Sequence, residues 1–363
     1  MCAAPISMTN VDRDDLLAFV TEGFTALGLT PEDAAIFAGA LVFSELRFHP
    51  GQGQGVMRLR RYQERISKGE VDPKAPWSVV KEGPSLAIVD AHNGIGTVAA
   101  AKAMKLAIKK AKENGIGTVI VRNSTHYGSS AVHACQALEE GCIGIAFTNA
   151  GPEMAPWGGR EGATGTNPWS IAAPSDKGFP VVLDIALTTA GKGMMKWNAR
   201  EGKPMPLDWA LTPEGHETDD PNAAMAGALL GIGGHKGYGL AFMTDALTGV
   251  LSGGGFGLTP YADPQKLDVS HYFQAIDISW FMDPADYAAR MGDFVDMCKT
   301  RALRPGFDEI LVPGEQEARR VAAKSANGVP IETAVLEDFA KLAEELGLKT
   351  QIRQLGPYTG TTL

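Results

Sequence analysis

The chain has 363 residues with 33 basic and 42 acidic side chains, a formal net charge of −9, and 44% hydrophobic and 21% charged residues. That balance excludes a disordered chain and a small disulfide scaffold, and the acidic excess argues against a nucleic-acid partner, whose recognition needs a basic face. Glycine is in excess, 43 residues or about 12% against a typical ~7%, without the period of collagen, so its clusters mark tight turns or places of close backbone approach.

No run of 18 apolar residues marks a membrane span, and residues 1–7 lack the basic and apolar stretches of a secretory signal. Cys2, Cys135, Cys142 and Cys298 form no C-x-x-C pair. They read as free thiols of a cytoplasmic protein without a metal site.

In chain order, Leu16, Leu17, Phe19, Val20, Phe24 and Leu27 share one face and predict a helix over 12–27. Thr30-Pro31-Glu32-Asp33 supplies a cap, a proline in the first turn and two acids, so a second helix runs to about residue 46. The loop Gly51-Gln52-Gly53-Gln54-Gly55 separates it from a helix over 56–67. From residue 85 strands and helices alternate: strands at 86–89, 117–121 and 143–147, helices at 97–113 and 129–140. Further strands are predicted at 169–172, 181–183, 273–280 and 309–312, and a helix-like run at 240–251. Helices follow at 284–300, 314–326 and 332–346, with an extended tail after Thr350. The alternation gives an α/β layer with a partly parallel sheet. Helical ends around this middle predict two units, a discontinuous helical one from 1–84 with 284–363 and an α/β one from 85–283.

Five stretches could carry chemistry. Gly94-Ile95-Gly96-Thr97-Val98-Ala99 follows a strand and opens a helix, as a dinucleotide fingerprint does, or else serves a tight turn and close helix packing. Arg122-Asn123-Ser124-Thr125-His126-Tyr127-Gly128 links a strand to a helix start, where positive helix-end potential lowers a histidine pKa and suits His126 to proton transfer. His92, His133, His216 and His271 read as structural. Thr148-Asn149 ends a strand, and the loops Trp157-Gly158-Gly159 and Gly165-Thr166-Asn167-Pro168 follow, suited to a ligand or simply to turns. The densest stretch has 11 glycines in the 31 residues 227–257 and includes Gly233-Gly234-His235-Lys236-Gly237, a generic phosphate cradle without Walker spacing. Gln54 and Arg58 are four residues apart, on one face if the helix starts early. Arg58 is a natural bidentate partner for a carboxylate or part of a solvated basic face with Arg60, Arg61 and Arg65.

Together these motifs resemble the malate/L-lactate dehydrogenase family of the non-Rossmann type. The resemblance runs over nearly the whole chain and is carried by Arg122 to Gly128, Ala155-Pro156-Trp157-Gly158-Gly159-Arg160, Gly165 to Pro168, Leu183-Asp184-Ile185-Ala186, Gly233 to Gly239 and Val312-Pro313-Gly314-Glu315. It implies a mixed-sheet α/β/α core with a helical, substrate-side subdomain built from both termini, and a homodimer. It implies that His126 is the proton donor/acceptor and that Arg58 grips the substrate carboxylate. Thr166, Asp184, Ile185, Ala186 and Lys236, with Pro313, Gly314 and Glu315, would hold NAD or NADP, joined by Thr148, Asn149, Asn167, His235 and Gly237 of the same loops. The Gly94 pair would then serve packing.

The chain departs from the family at one place. The usual H-D-S-H-G-V reads here His49-Pro50-Gly51-Gln52-Gly53-Gln54-Gly55-Val56, two residues longer, with Gln54 where the second histidine stands. Glutamine can hydrogen-bond a substrate oxygen but cannot titrate. Gln54, Ser44 and His49 are expected to shape the pocket around Arg58. The implied reaction is hydride transfer between nicotinamide and a small 2-oxo or 2-hydroxy acid or a cyclic 2-imino acid. The alternative is a diverged member that binds an acidic metabolite or does non-redox chemistry.

Overall fold

The computed structural model describes residues 6–360; Cys2 and most of the 1–7 segment lie outside them. Strand β1 (Met8–Val11) leads into α1 (Arg13–Ala26), whose cap Asp12 accepts the backbone N–H of Asp14 and Asp15 at 3.0 and 3.1 Å. Thr30 caps α2 (Pro31–Arg47) by accepting Asp33 N–H at 3.2 Å. A 3-10 turn (Pro50–Gln52) precedes α3 (Arg58–Ser67), which starts two residues later than expected: the N–H groups of Arg58 and Leu59 close tight turns onto the carbonyls of Gly55 and Val56, and the Val56 N–H goes to the Glu45 carboxylate.

The middle runs β2 (Ser78–Glu82), β3 (Leu86–Asp90), α4 (Gly96–Asn114), β4 (Ile116–Ser124), α5 (Ser130–Gln136), β5 (Cys142–Thr148), β6 (Trp169–Ala173), β7 (Val181–Ile185), α6 (Lys192–Glu201), α7 (Pro221–Ala226), α8 (His235–Asp245) and β8 (Val269–Asp277). The predicted helix-like run at 240–251 is the second half of a longer one. It begins at His235 and passes through a π-helical turn, Ala246–Val250, before ending at Ser252. The end of the chain adds α9 (Pro284–Lys299), α10 (Glu315–Asn327), β9 (Val329–Glu332), α11 (Thr333–Leu346) and β10 (Gln354–Pro357). The strand predicted at 309–312 does not form. There Val312 N–H turns to the Glu315 carboxylate and Lys299 Nζ takes the Ile310 carbonyl, so side chains hold a segment that pairs with no strand.

Seven strands make one mixed sheet in the order β2-β3-β4-β8-β5-β6-β7, in which only β3 and β4 run parallel. Their connection is α4, the crossover a parallel pair requires. Alanines 99, 100, 103, 107 and 111 of α4 are buried against the sheet, and Gly117 of β4 lies so close to the Ala107 carbonyl that a Cβ would overlap it. A second apolar cluster gathers α1, α2, α3 and α11, with Phe24 stacked on Phe37 at 4.2 Å and Tyr62 edge-on to Phe37 at 4.7 Å. Both ends of the chain meet in a separate antiparallel sheet, β10-β1-β9. Helix α9 lies against the β6–β7 turn, where Asp176 N–H meets the Ala288 carbonyl and Lys177 pairs with Asp296.

Candidate active site

The corner between β4 and α5 holds His126. Thr125 Oγ1 accepts Gly96 N–H and donates to the Gly94 carbonyl, both at 2.9 Å. Gly96 sits against the backbone of Thr125 and His126, where a Cβ would overlap it. The Gly94-x-Gly96 pair thus braces this corner. From α3, Tyr62 donates its hydroxyl to the His126 carbonyl at 3.0 Å, tying the helix of Arg58 to the same corner.

His126 Nδ1 accepts the Gly128 N–H at 3.0 Å, so the neutral ring carries its proton on Nε2. Burial, then the charges of Arg58, Arg61 and Arg65, hold its pKa well below the usual value. The helix-end potential expected from the sequence is not the main cause, since α5 spans only seven residues. Behind the corner, His271 stacks on Tyr127 at 4.7 Å and shares hydrogen bonds with Ser124 and Thr148; burial pushes it down to about 3. His133 meets the Tyr127 carbonyl, and burial pushes it down to about 4.

His126 faces a cavity of about 820 Å³ together with Gln54, Arg58, Thr148, Asn149 and Thr166. Arg58 is buried, and its Nε donates to the Gly53 carbonyl at 2.8 Å. Among the described residues it makes no ion pair, and burial lowers its pKa to about 10. Gln54 Oε1 is buried without a hydrogen-bond partner. Ser44 and His49 stand apart: they line a side cavity of about 20 Å³ that shares Gln54 with the large one. Ser44 spends its hydroxyl on the Ala40 carbonyl, and His49 Nδ1 accepts Gly51 N–H while its ring meets Trp197 edge-on at 4.6 Å.

The sequence reading missed the opposite wall. Lys192, Lys196 and Arg200 of α6 line it, four residues apart and so on one helix face. With Arg58, Arg61 and Arg65 they set six cationic side chains against two acids, Glu153 and Glu332. Lys192 lies 3.7 Å from Glu153, and Arg200 pairs with Glu332 at 2.6 Å. A chain of net charge −9 thus concentrates positive charge around one cavity, which favours an anionic ligand.

The remaining candidates lie beyond the wall, and Asn149 of the wall shares a partner with one of them. Asn149 and Asn167 turn their amides to Asp245 at 3.1 and 3.0 Å, which braces the start of the π-helical turn. Backbone bonds run from Thr166 through Leu187 and Ile232 to Gly237, so the glycine-rich loop abuts the cavity wall from behind. Ile185 packs in the same place against Met154, Leu187 and Ala241, and Ala186 is half-buried beside it. His235 and Lys236 are exposed at the start of α8, His235 edge-on to Trp157 at 5.6 Å. Asp184 accepts from Ser129 at 3.4 Å, and burial pushes its carboxyl up to about 7. The Pro313 carbonyl takes Val182 N–H, Gly314 packs on Val182, and Glu315 pairs with Lys299 and Arg319 at 2.6 and 2.7 Å. Among the described residues no group of three or more His, Cys, Asp or Glu is placed to hold a metal, and no helix is long and apolar enough to cross a membrane.

The sequence profile of the malate/L-lactate dehydrogenase family matches residues 11–340. Malate dehydrogenase of Pyrococcus horikoshii is 39% identical over 348 residues, which cover 93% of this chain and 96% of that one. L-sulfolactate dehydrogenase of Methanothermobacter thermautotrophicus is 31% identical over 95% of this chain and 99% of its own. The crystal structure of malate dehydrogenase from Entamoeba histolytica superposes with a TM-score of 0.90 at 30% identity, over 94% of this chain and 99% of that one. A mixed sheet flanked by helices, a histidine and an unpaired arginine in one cationic cavity, and this likeness along the whole chain lead to one assignment: the protein is an oxidoreductase belonging to the malate/L-lactate dehydrogenase family.

Proposed function

We propose that His126 and Arg58 carry the chemistry of a reaction whose outline the family sets. That reaction is hydride transfer between NAD or NADP and a small hydroxy or oxo acid or a cyclic imino acid. The observation that carries the proposal is Arg58: a buried guanidinium without an acid partner, in the same cavity as His126. Its Nε is held by Gly53, so the terminal amines are left to fork around a substrate carboxylate. That grip fixes the reacting carbon relative to His126 and removes orientational freedom before the chemical step.

The cavity suits a dinucleotide's reactive end. Its volume of about 820 Å³ falls in the range of ligand sites, and a Cβ at Gly53 or Gly191 on its wall would meet nothing within 4 Å, so bare backbone faces open space there. Thr148, Asn149 and Thr166 would hold the coenzyme at the cavity. Asn167, Asp184, Ile185, Ala186, His235, Lys236, Gly237, Pro313, Gly314 and Glu315 would shape its site beyond the wall. Bound there, it supplies or accepts the hydride.

In reduction, His126 donates a proton to the substrate oxygen or nitrogen as hydride arrives. The resting ring is neutral, so the acid form must take up a proton. Burial, then the charges of Arg58, Arg61 and Arg65, oppose that uptake in the free site, and a proton on Nδ1 also displaces the Gly128 bond. A carboxylate bound at Arg58 offsets the cationic field on the ring and favours the proton's uptake. His126→Ala is expected to lower turnover about 10²–10⁴-fold, measured as NADH or NADPH loss against a panel of 2-oxo acids and cyclic imines. Unchanged turnover in a folded variant sinks the role.

The discontinuous helical unit, 1–84 with 284–363, is our division of the chain from the α/β unit 85–283; it draws support from the cluster that joins α1, α2, α3 and α11, although that cluster also takes Ile95, Val98 and Leu267, and β2 joins the main sheet. We also infer a homodimer, supported by exposed apolar residues on and after α8, and a cytoplasmic setting, supported by the free thiols of Cys135, Cys142 and Cys298.

A further inference from the structure

The loop that departs from the family is anchored from behind by one carboxylate. Glu45, in the last turn of α2, accepts Val56 N–H at 2.8 Å. Among the described residues this is the carboxylate's one hydrogen bond. Gly55 lies so close that a Cβ there would overlap the Glu45 carboxyl. Lys324 of α10 does not pair with that carboxylate. Its ammonium donates to the backbone carbonyls of Glu45 and Phe48 at 2.7 and 2.9 Å, which closes the end of α2 and fixes Glu45 in place. On the other side of the loop, the Gly53 carbonyl holds Arg58 Nε.

We propose that Glu45 is a positioning residue for the substrate arginine: by holding Gly55 and Val56 it sets the loop so that Gly53 aims the Arg58 guanidinium into the cavity. The proposal rests on the reading of Arg58 as the carboxylate grip. The path runs Lys324, end of α2, Glu45, Gly55 and Val56, Gly53, Arg58, and each link is a hydrogen bond, a close contact or one or two peptide units. None of it touches the coenzyme residues named above. Burial pushes the Glu45 carboxyl up to about 7, and the bond to Val56 needs only an acceptor oxygen. Glutamine therefore replaces it conservatively.

The test compares Glu45→Ala, Glu45→Gln and Gly55→Ala in the full-length protein. Glu45→Ala should raise the substrate KM about tenfold, the loss of one hydrogen bond to a charged group, with kcat and the coenzyme KM within about twofold. Glu45→Gln should stay within about threefold of wild type. Gly55→Ala must push Glu45 aside. It should raise the substrate KM alone but add little in the Glu45→Ala background. An unchanged substrate KM in Glu45→Ala, a parallel fall of all parameters, or additive losses in the double variant overturns the proposal.

A second readout needs no turnover. The Arg58 Nε–H resonance, assigned by its loss in Arg58→Lys, should shift or exchange faster in Glu45→Ala and keep its wild-type position in Glu45→Gln. An unmoved resonance in Glu45→Ala overturns the positioning role. A wild type that consumes neither NADH nor NADPH with any acid or imine sinks the functional reading instead, and the resonance still decides the role of Glu45.

Discussion

Arg58 and His126 illustrate how one feature tunes two groups. The guanidinium is buried without an acid to neutralise it, so its charge falls on the neighbouring imidazole and, with burial, depresses the histidine. The sign of the pH dependence follows. A general acid whose free-enzyme pKa lies well below 6.5 is mostly deprotonated at neutral pH. The kcat/KM of reduction should therefore fall about tenfold per pH unit from 7 to 9. The kcat/KM of oxidation, which needs the neutral ring, should stay flat over the same range. A reduction profile flat to pH 8 contradicts the assignment. Arg58→Lys should cost about 2 kcal/mol, or about thirtyfold in substrate KM, because an ammonium cannot reproduce the fork. Spacing and family pattern marked both residues as candidates, and the structure brings them to one cavity. The unpartnered Gln54 Oε1 was not legible, because whether a side-chain oxygen finds a partner depends on packing that no local pattern encodes.

At the scale of elements, local chemistry was legible wherever it acts over a few residues. Thr30 caps α2 as read, α1 covers the predicted apolar face, and β3, β4 and β5 form where short apolar runs stand. The strands β1 and β9 were not legible, and of β10 only the extended tail was, since each has four residues and its pairing joins opposite ends of the chain. Helix α6 was missed for another reason. Its mean hydropathy is low, and the stripe Lys192, Lys196, Arg200 was the one signal that could have marked it. The corner formed by β4, β8 and α5 makes its own prediction. His271 is buried neutral between Ser124 and Thr148, with its pKa lowered to about 3, whereas the unfolded chain titrates near 6.5. Below pH 6.5 the unfolded state binds the proton that the folded state refuses, so this residue lowers stability as the pH falls. Between pH 7.5 and 5.5 that loss is about 1.4 kcal/mol. His271→Gln should be less stable than wild type at pH 7.5, from its lost hydrogen bonds, and the gap should narrow by about that amount at pH 5.5. Urea unfolding at the two pH values measures it, and a gap that stays constant removes the linkage.

For the whole molecule, the positive cavity in an acidic chain and the apolar face of α8 raise related questions. Leu240, Phe242, Met243, Val250, Leu251, Phe256 and Leu258 are all large, apolar and exposed, Leu258 to 65%. They fall in one continuous stretch of chain, the helix and the loop that follows it. Apolar exposure of this kind marks an association surface more often than free solvent contact. The opposite side of the same helix is occupied: Ala241 is buried, its carbonyl takes the Asn167 amide, and Asp245 at the helix end takes Asn149 and Asn167. A second copy covering the outer face would therefore press the helix onto the residues that back Thr166 and the cavity. Phe242→Glu puts a charge into that face without touching the buried side. In light scattering the wild type should have twice the 38.4 kDa chain mass, and Phe242→Glu should fall to the single-chain value at micromolar concentration. If the face also steadies the coenzyme loops, the variant's NADH or NADPH affinity should weaken with its association, while the KM for the acid at saturating coenzyme stays near wild type. A wild type that scatters as a single chain across the micromolar range removes the dimer, and a monomeric variant with undiminished coenzyme affinity removes its coupling to the site.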